Sequence, residues 1–482
     1  MTSSATPPKR VSKKALIVTI SGVLAGLLAI SGAFSVGLWA QASEVTLLGV
    51  ETTAVEDLTL QDASVRPAPS AASAARRIPT CSINDLALDP ALGSFSGIVL
   101  DPISGEVVFS RLGEVGIAPA SVMKVITASA ALTTLGPDAT FTTSVVASPD
   151  PETVVLVGGG DSTLSARAPG AESVYVGSPT LADLAEQTIA SWSEGLEEGT
   201  KVAITELVVD ASLWDPEDSW DSTWSTNAKS SGFISEVTAL QVDGDRRDPA
   251  VALSPRTNDP VARAASAFVS ALRAAGNTSR FVNISYGIAD PDARVLASVE
   301  SRPVSELVTY MLKESDNALA EMLARHVSLA TGLEGISESI GQALTGSLAP
   351  YGLDSELATI RDGSGLSPEN LVTPWYVGQL LVEAYRSETE LSLIPDALPL
   401  AGVDGSLDDR FTGANAIAQA QVRAKTGSIT GVRSLAGFVT GEDGADLVFA
   451  FFAVGDVGDA AKMAIDSVVT GVYSCGSNLA DF

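Results

Sequence analysis

The sequence predicts an α+β fold in which a smaller α+β domain is inserted between two parts of a larger one. Helical periodicity dominates after residue 303, whereas short β-like runs between Gly, Pro and Asp clusters dominate from about 140 to 290. A hairpin pattern precedes that stretch, and a hairpin with a helix ends the chain. The larger domain is therefore expected to consist of 81–145 and 290–482, and the inserted domain of 146–289.

The first element is a predicted membrane segment at 15–42, an uncharged run long enough to cross a bilayer as a helix. The basic residues lie before it, which places the N-terminal tail 1–14 in the cytoplasm and the rest of the chain outside. The run either stays as a signal anchor or is cleaved after Ala40-Gln41-Ala42. Residues 43–80, rich in Ala, Ser and Pro, are expected to form a flexible linker, and the protein is expected to be exported.

Acidic composition excludes some partners. The formal net charge is −29, and the basic residues before the membrane segment are not part of the exported region. Nucleic acid is not expected as a partner because phosphate binding needs clustered Lys and Arg. Docking on anionic lipid is disfavoured for the same reason. The composition leaves the oligomeric state open.

Two cysteines, Cys81 and Cys475, lie at the two ends of the exported region. Since export permits disulfides, we expect them to form a bond that fastens the start of the folded region to its last helix. With one histidine, His326, and two distant cysteines, neither a metal site nor a cofactor is expected. His326 lies in a helical pattern, where a structural role is predicted, so a Ser-His-Asp mechanism is disfavoured.

Local patterns predict the elements in order. A hairpin is expected from Phe95 to Arg111, and a helix from Ser121 to Leu135 because Gly136-Pro137 ends it. Within the inserted domain we expect strands at 142–146, 153–156 and 202–209 and helices at 180–192 and 260–275. The chain is expected to close with strands at 421–428, 434–440 and 446–454 and a helix at 459–473.

The most informative local motif is Ser121-x-x-Lys124, inside an otherwise apolar run. Residues three apart share a helix face, so the hydroxyl and the amine can lie within hydrogen-bond reach. Burial disfavours the charged form of a lysine, and a neutral amine beside a hydroxyl is a general base beside a nucleophile. For this pair alone, the alternative is a lysine whose charged end reaches water.

A second motif, Ser315-Asp316-Asn317, stands between two helical runs. Ser315 could relay a proton, and the Asn317 amide could donate a hydrogen bond to a peptide carbonyl. By itself the triplet is equally compatible with a capping serine in an interhelical turn.

The third motif is Lys425-Thr426-Gly427, followed by Ser428, at the start of a predicted edge strand. The lysine supplies positive charge, Thr426 a hydroxyl, and Gly427 room for close backbone approach. Taken alone, a solvated lysine on a strand would explain it.

Together and in this order, the three motifs resemble the signature set of penicillin-binding proteins and serine β-lactamases. The long gap between Ser121 and Ser315 resembles the class C low-molecular-mass penicillin-binding proteins, D-alanyl-D-alanine carboxypeptidases and endopeptidases with an inserted domain. That family's other motifs are similar to Gly158–Asp161, Arg361–Ser367, Ala401–Leu407 and Lys425–Gly437, and the resemblance runs from about residue 90 to the C-terminus. It implies an antiparallel sheet flanked by helices, plus a helical subdomain.

The resemblance implies that Ser121 attacks the D-alanyl-D-alanine carbonyl with Lys124 as its base. Ser315 and Lys425 would pass a proton to the departing amine, and Asn317 would hold the substrate backbone. The substrate-binding residues implied are Asp161, Thr426, Gly427 and Ser428, and the backbone N–H groups of Ser121 and Ser428 would form the oxyanion hole. Peptidoglycan stem peptides are the implied substrates, and β-lactams would be trapped by the same serine.

The chain departs from the family pattern near the expected side-chain pocket. Ser162 replaces a proline that usually follows the glycine-rich segment, and Pro368 stands where an arginine commonly follows the Asp-Gly-Ser-Gly-Leu-Ser motif. That arginine would meet the acidic end of a diaminopimelate side chain, whereas Asp161 would attract its amine. We therefore hypothesise a stem peptide without the free carboxylate, for example an amidated one.

Two alternatives remain at the level of sequence. One is a β-lactamase or esterase with the same nucleophile, although no motif designates a group that activates water for fast deacylation. The other is a non-catalytic wall-binding relative, which the intact motif residues disfavour.

Overall fold

The computed structural model describes residues 80–194 and 200–481. The predicted cytoplasmic tail, membrane run and nearly all of the linker lie outside these ranges. In the described residues, no helix is both long and apolar enough to span a membrane. The helices there are α1 Met123–Leu135, α2 Leu181–Ser193, α3 Pro260–Ala275, α4 Val304–Glu314, α5 Asn317–Ala330, α6 Ser337–Leu348, α7 Pro374–Arg386, α8 Ile394–Ala397 and α9 Asp459–Cys475.

The strands belong to two five-stranded sheets and one short pair. They are β1 Ser94–Leu100, β2 Val107–Arg111, β3 Thr142–Ala147, β4 Thr153–Val157, β5 Glu206–Asp210, β6 Asn283–Tyr286, β7 Val295–Glu300, β8 Ala358–Thr359, β9 Leu371–Val372, β10 Val422–Ile429, β11 Val432–Thr440 and β12 Asp446–Val454. Both predicted hairpins and the predicted helices are present, with ends shifted by a few residues at most.

The first sheet is antiparallel, in the order β10-β11-β12-β1-β2, so the two ends of the described chain pair with each other through β1 and β12. Alternate residues of β12 face opposite sides: Phe449 and Phe451 pack with α9, while Ala450 packs with the helical layer that contains α1. The sheet is therefore covered on both faces. Strand β10 is left at the edge, next to the turn that precedes α1.

Helix α1 lies at the centre of the helical layer, against α4, α5 and α6. Every residue from Met123 to Leu132 is buried, including Lys124. A helix that is buried on every face over this length must be surrounded by other elements. This burial is what removes the Lys124 amine from bulk water.

The second sheet has the order β6-β5-β4-β3-β7, and its strands come from Thr142 to Glu300. Strands β4, β5 and β6 are parallel, with α2 and α3 in the crossovers, while β3 runs antiparallel to β4 and β7. The predicted strand 202–209 begins only at Glu206, because the backbone of Ile204 bonds to the Asn277 side chain instead of a neighbouring strand.

A disulfide joins Cys81 to Cys475, with 5.5 Å between their Cα atoms. Cys475 is the last residue of α9, and the backbone of Cys81 bonds to Asn478 and Ala480 beyond it. The start of the folded chain is therefore fastened to the last helix by the disulfide, and to the segment after that helix by two hydrogen bonds.

Candidate active site

Ser121 lies in a 3₁₀ turn, Ala120–Val122, directly before α1. Ala120 adopts the left-handed region, with φ of 46°, so the backbone turns sharply just before Ser121. Two glycines make room for this turn. A Cβ on Gly365 would collide with the Ala120 carbonyl, and one on Gly427 would lie 2.8 Å from the Pro119 carbonyl oxygen. The turn therefore lies tightly between the loop 361–370, which joins β8 to β9, and strand β10, with Ser121 half-buried.

The Lys124 amine has three hydrogen-bond acceptors around it. Its Nζ lies 3.0 Å from Ser121 Oγ, 2.6 Å from Asn317 Oδ1 and 2.7 Å from the Ser364 carbonyl oxygen. A neutral amine keeps two N–H groups, which match Asn317 and Ser364. Its lone pair then points at the Ser121 hydroxyl, which is the arrangement a general base needs.

Burial lowers the pKa of Lys124 to about 8, although the nearby carboxylates of Asp362, Glu321 and Asp316 act in the opposite direction. Lysine normally titrates above pH 10, so this shift brings a neutral amine within reach of physiological pH. Burial and the charge of Lys124 also hold the pKa of Lys425 well below its usual value. The two buried lysines therefore favour a state in which at most one is charged.

The second predicted motif forms the turn between α4 and α5. Ser315 ends α4 in the left-handed region, with φ of 58°, and Asp316 caps α5 by accepting the Leu319 N–H. The Asn317 amide nitrogen donates to the Phe233 carbonyl at 3.0 Å, which orients its oxygen towards Lys124. The serine predicted as a possible helix cap is therefore directed into the site, and Asp316 makes the cap.

The third motif lies on the edge strand β10, with Lys425 as its fourth residue rather than at its start. Lys425 Nζ donates to Ser315 Oγ at 2.9 Å and to the Thr426 carbonyl at 3.0 Å. The Thr426 hydroxyl donates to Ser406 Oγ at 2.9 Å, and Ser428 is exposed. The structure therefore brings together residues from three separate motifs around Ser121.

The loop 361–370 holds the third acceptor of Lys124 in place. Glu321 accepts the Ser364 N–H at 2.8 Å, and Asp362 accepts the N–H groups of Gly365 and Ser367, both at 2.7 Å. Asp362 also receives the indole N–H of Trp224. With these bonds made, the Ser364 carbonyl has a defined direction towards the amine.

A cavity of about 880 Å³ opens at the nucleophile. The predicted site residues that line it are Ser121, Ser315, Asn317, Thr426 and Ser428, and Pro368 lies on its wall. The opposite wall is formed by the chain segment that connects β5 to β6, and it includes Asn227, Phe233, Arg246 and Arg256. A peptide of several residues fits such a volume.

Comparison with known proteins agrees with this geometry. The family model described as D-Ala-D-Ala carboxypeptidase 3 (S13) matches residues 80–252 and 246–473. The chain belongs to the D-Ala-D-Ala carboxypeptidase 3 (S13) family. This confirms the predicted family and the predicted enzyme class, a serine-type D-Ala-D-Ala carboxypeptidase.

Individual relatives cover most of this S13 chain. It is 34% identical to carboxypeptidase DacB of Mycolicibacterium smegmatis over 403 residues, which is 80% of this chain and 82% of the relative. It is 32% identical to a D-alanyl-D-alanine carboxypeptidase of an Actinomadura species over 442 residues, 79% of this chain and 81% of the relative. The solved penicillin-binding protein 4 (dacB) of Haemophilus influenzae superposes with a TM-score of 0.67 at 21% identity, covering 81% of this chain and 99% of that one, and so has the same fold.

Asp161, a predicted substrate-binding residue, does not line the cavity. It is buried, its Oδ1 accepts the N–H and hydroxyl of Thr163, and burial raises its pKa to about 6. The neighbouring Ser162 N–H donates to Met322 Sδ at 3.2 Å, which anchors the segment against α5. Asp161 Oδ2 makes no hydrogen bond with the described residues. Contact with a substrate amine stays a prediction.

His326 has the structural surroundings that its helical position predicts. It stacks on Phe141, with ring centroids 3.8 Å apart, and meets Trp214 edge-on. Burial lowers its pKa to about 4, and it does not border the cavity. It therefore has no contact with Ser121 through which to act as a base.

The motifs did not reveal four residues that complete the S13 site. Ser364 and Ser406 lie inside segments that resemble family motifs, but those motifs do not indicate that Ser364 bonds to Lys124 or that Ser406 bonds to Thr426. The Phe233 carbonyl and the Arg246 side chain, which bonds to Asp316 at 2.6 Å, carry no local signal at all. Each acts on a residue far away in the chain, so only tertiary structure could identify it.

Proposed function

We propose that the protein removes the terminal D-alanine from peptidoglycan stem peptides, and opens their cross-links, through an acyl-enzyme on Ser121. The observation that carries this proposal is the 3.0 Å contact between Ser121 Oγ and the amine of a fully buried Lys124. The family supports D-alanyl-D-alanine as the bond attacked. The balance between carboxypeptidase and endopeptidase activity depends on which amine leaves.

In the acylation step, neutral Lys124 takes the Ser121 hydroxyl proton while Oγ forms a bond to the carbonyl carbon. The peptide C–N bond breaks, and the leaving amine must gain a proton. The 2.9 Å contact between Lys425 Nζ and Ser315 Oγ supports a relay in which Ser315 gives a proton to the leaving amine and receives one from Lys425. Water then attacks the ester, the C–Oγ bond breaks, and Ser121 recovers its proton.

The developing oxyanion needs donors that are already in place. We assign this role to the backbone N–H groups of Ser121, at the start of α1, and Ser428, on the edge strand, since both residues line the cavity. Thr426 and Ser428 would hold the terminal carboxylate, and Asn317 the substrate backbone. Gly427 serves indirectly, because its lack of a side chain lets β10 lie against the Ser121 turn.

β-Lactams are the expected inhibitors, because their strained amide would acylate the same serine. The H. influenzae penicillin-binding protein 4 has been solved in complex with a β-lactam, which supports this partner by analogy of fold. Slow release of the bound drug would distinguish a peptidase from a β-lactamase.

Location outside the cytoplasm is supported by the disulfide and by the peptidoglycan-directed family. Anchoring through the apolar run 15–42 remains a proposal, since that run lies outside the described residues.

The test is digestion of defined muropeptides followed by mass spectrometry, with labelling by a fluorescent penicillin in parallel. Ser121→Ala should reduce both turnover and labelling by at least about a thousandfold, because no other group can replace the serine hydroxyl as the nucleophile. Ser129→Ala is the matched control: Ser129 is fully buried on the same helix and its hydroxyl makes no hydrogen bond with the described residues. Labelling that survives Ser121→Ala would refute the assignment.

The same digestion tests the third residue of the stem peptide. Pro368 lines the cavity where the family commonly has an arginine, which supports a preference for peptides lacking the free side-chain carboxylate. Amidated peptides should therefore turn over faster than their free-acid forms. Equal turnover of the two would contradict this preference.

A further inference from the structure

The middle residue of the second motif, Asp316, is held by two side chains from a distant part of the chain. Arg246 NH2 lies 2.6 Å from Asp316 Oδ2, and both side chains are only 3% exposed. The Tyr175 hydroxyl donates to the same oxygen at 3.0 Å and accepts from Arg246 NH1 at 2.8 Å. The other oxygen, Oδ1, accepts the Leu319 N–H at 3.0 Å. Both oxygens of Asp316 are therefore bonded within the protein, although the residue borders the cavity.

Arg246 borders the cavity, but its donors are turned inward. Nε donates to the Ala252 carbonyl at 3.0 Å, NH1 to Tyr175 and to the Asp243 carbonyl, and NH2 to Asp316. Since each of the three nitrogens donates within the protein, Arg246 is built to hold other residues rather than to bind substrate. Its neighbour Arg256 differs, because its buried Nε makes no hydrogen bond with the described residues.

The backbone before Arg246 is unusual in a way that points to a positioning role. Asp243, Gly244 and Asp245 all adopt left-handed conformations, with φ of 55°, 57° and 57°. L-residues avoid this region, and consecutive examples persist only where surrounding contacts enforce them. Here the two buried carboxylates enforce it: Asp243 accepts from Ser165 Oγ at 2.8 Å, and Asp245 from the Thr257 N–H at 2.8 Å.

We propose that Arg246 and Tyr175 are positioning residues. Through them, the region 146–289 fixes the conformation of the turn between α4 and α5, which carries Ser315, Asp316 and Asn317. By holding the Asp316 carboxylate, they fix the loop that presents Ser315 to Lys425 and Asn317 to Lys124. By neutralising the Asp316 charge, Arg246 keeps a buried anion from holding the proton on Lys124. The inference rests on the proposed function, and it gives the inserted region a role in the chemistry itself.

The electrostatic part of this role has a definite sign. The groups facing Lys124 are the carboxylates of Asp316, Glu321 and Asp362 and the amine of Lys425, while Lys425 also faces Glu314. With Arg246 removed, Asp316 loses its ion-pair partner and keeps only the charge of Arg256 nearby. Asp316 then stabilises the charged form of Lys124 more strongly, so the pKa of Lys124 rises. With Asp316 replaced by Asn, the unpaired Arg246 has the opposite effect. An ion pair without electrostatic coupling to Lys124 would shift the pKa of Lys124 in neither variant.

The experiment measures the rate of acylation by a fluorescent penicillin, in the full-length protein, between about pH 6 and 10. Arg246→Met should slow acylation at neutral pH by about tenfold and move the acid limb of the profile to higher pH. Asp316→Asn should move that limb to lower pH, and the double variant should lie between the two. Limbs that coincide with the wild type in both single variants would overturn the proposal.

Arg410→Met is the matched control, because Arg410 makes a 2.6 Å ion pair with Asp466 of α9, away from the cavity. It should lower thermal stability while leaving acylation per folded molecule unchanged. Tyr175→Phe removes one bond to Asp316 without a change of charge, and it should slow acylation without moving the limb. This milder variant keeps the proposal testable should Arg246→Met fail to fold, and an unchanged rate would count against it.

Failure of this inference can be told apart from failure of the proposed function. If the wild type is not acylated, or Ser121→Ala is acylated equally, the proposed function is wrong. If the wild type is acylated but Arg246→Met behaves like Arg410→Met, only the positioning role is wrong.

Discussion

Lys124 shows how a single side chain acquires chemistry from its surroundings. The amine is fully buried and meets a hydroxyl, an amide oxygen and a backbone carbonyl. Desolvation disfavours its charged form, while three acceptors keep it from being left unbonded. Because none of the three is a carboxylate, no contacting anion restores the ordinary lysine pKa. The residue can therefore act as a base near neutral pH.

The lowered pKa leads to a prediction about pH dependence. As the proposed base, Lys124 must be neutral to accept the proton, and burial lowers its pKa to about 8. Acylation should therefore rise about tenfold per pH unit below pH 8 and level off above it. The plateau should begin well below the pH at which an ordinary lysine loses its proton. The measurement is the second-order acylation rate with penicillin across this range.

Lys124→Arg tests the same point with a cation that stays protonated. Its acylation rate should be very low at every pH, with no rising limb. A wild-type profile that is flat from pH 6 to 9, or a variant that keeps the limb, would contradict Lys124 as the base.

At the scale of elements, the site lies where three of them end or meet: the turn before α1, the turn between α4 and α5, and the edge strand β10. Each presents its residue for a local reason. A left-handed residue precedes Ser121, another forms the end of α4 at Ser315, and β10 has one unpaired side. The distance between these elements is then set by packing around the backbone at Gly427 and Gly365.

Gly427→Ala should separate β10 from the Ser121 turn. The new methyl group would meet the Ser434 hydroxyl and lie 2.8 Å from the Pro119 carbonyl oxygen, next to the nucleophile. A displacement on the order of 1 Å can slow an oriented reaction about a hundredfold, which is the loss we expect in the acylation rate.

Gly346→Ala is the control for this substitution. Gly346 lies inside α6, where an added Cβ would meet nothing within 4 Å. Replacing glycine in a helix interior should raise the free energy of unfolding by roughly 0.5–1 kcal/mol and leave acylation unchanged. If both variants acylate at the wild-type rate, the close contact at Gly427 does not matter for catalysis.

At the scale of the whole molecule, the fold is closed by joining its two ends. Strand β1 pairs with β12 over seven residues, and the disulfide joins Cys81 to Cys475 across a sequence separation of 394. A bond that closes so long a loop restricts the unfolded chain strongly. It lies at the end of α9, on the face of the sheet opposite the layer that contains α1.

Replacing both cysteines by alanine should therefore lower stability without affecting chemistry. We expect a loss of about 2–5 kcal/mol in the free energy of unfolding, seen as a lower Tm, with acylation unchanged at 25 °C. Dithiothreitol should lower the Tm of the wild type and leave that of the double variant where it is. A Tm unaffected in both cases would show that the bond adds no stability.

Local patterns predicted a large part of the elements and of the site. The bounds of α3 and β12 agree with the expected ones, since each has strong periodicity and clear breaks. The β5 strand starts later than expected because the side chain of Asn277, far along the chain, forms hydrogen bonds with both the N–H and the carbonyl of Ile204. Ser121, Lys124, Ser315, Asn317 and Lys425 were all expected at one site, and the structure brings them into contact.

Three short motifs in order were enough to predict the reaction type, because together they resemble the signature set of a known family. How the residues of these motifs are held in place depends on tertiary structure. The Ser364 carbonyl reaches Lys124 from 240 residues away, and Arg246 reaches Asp316 from 70 residues away. Such contacts arise from the packing of whole elements, and no local pattern encodes them. The same packing buries Asp161, whose contact with a substrate amine stays a prediction.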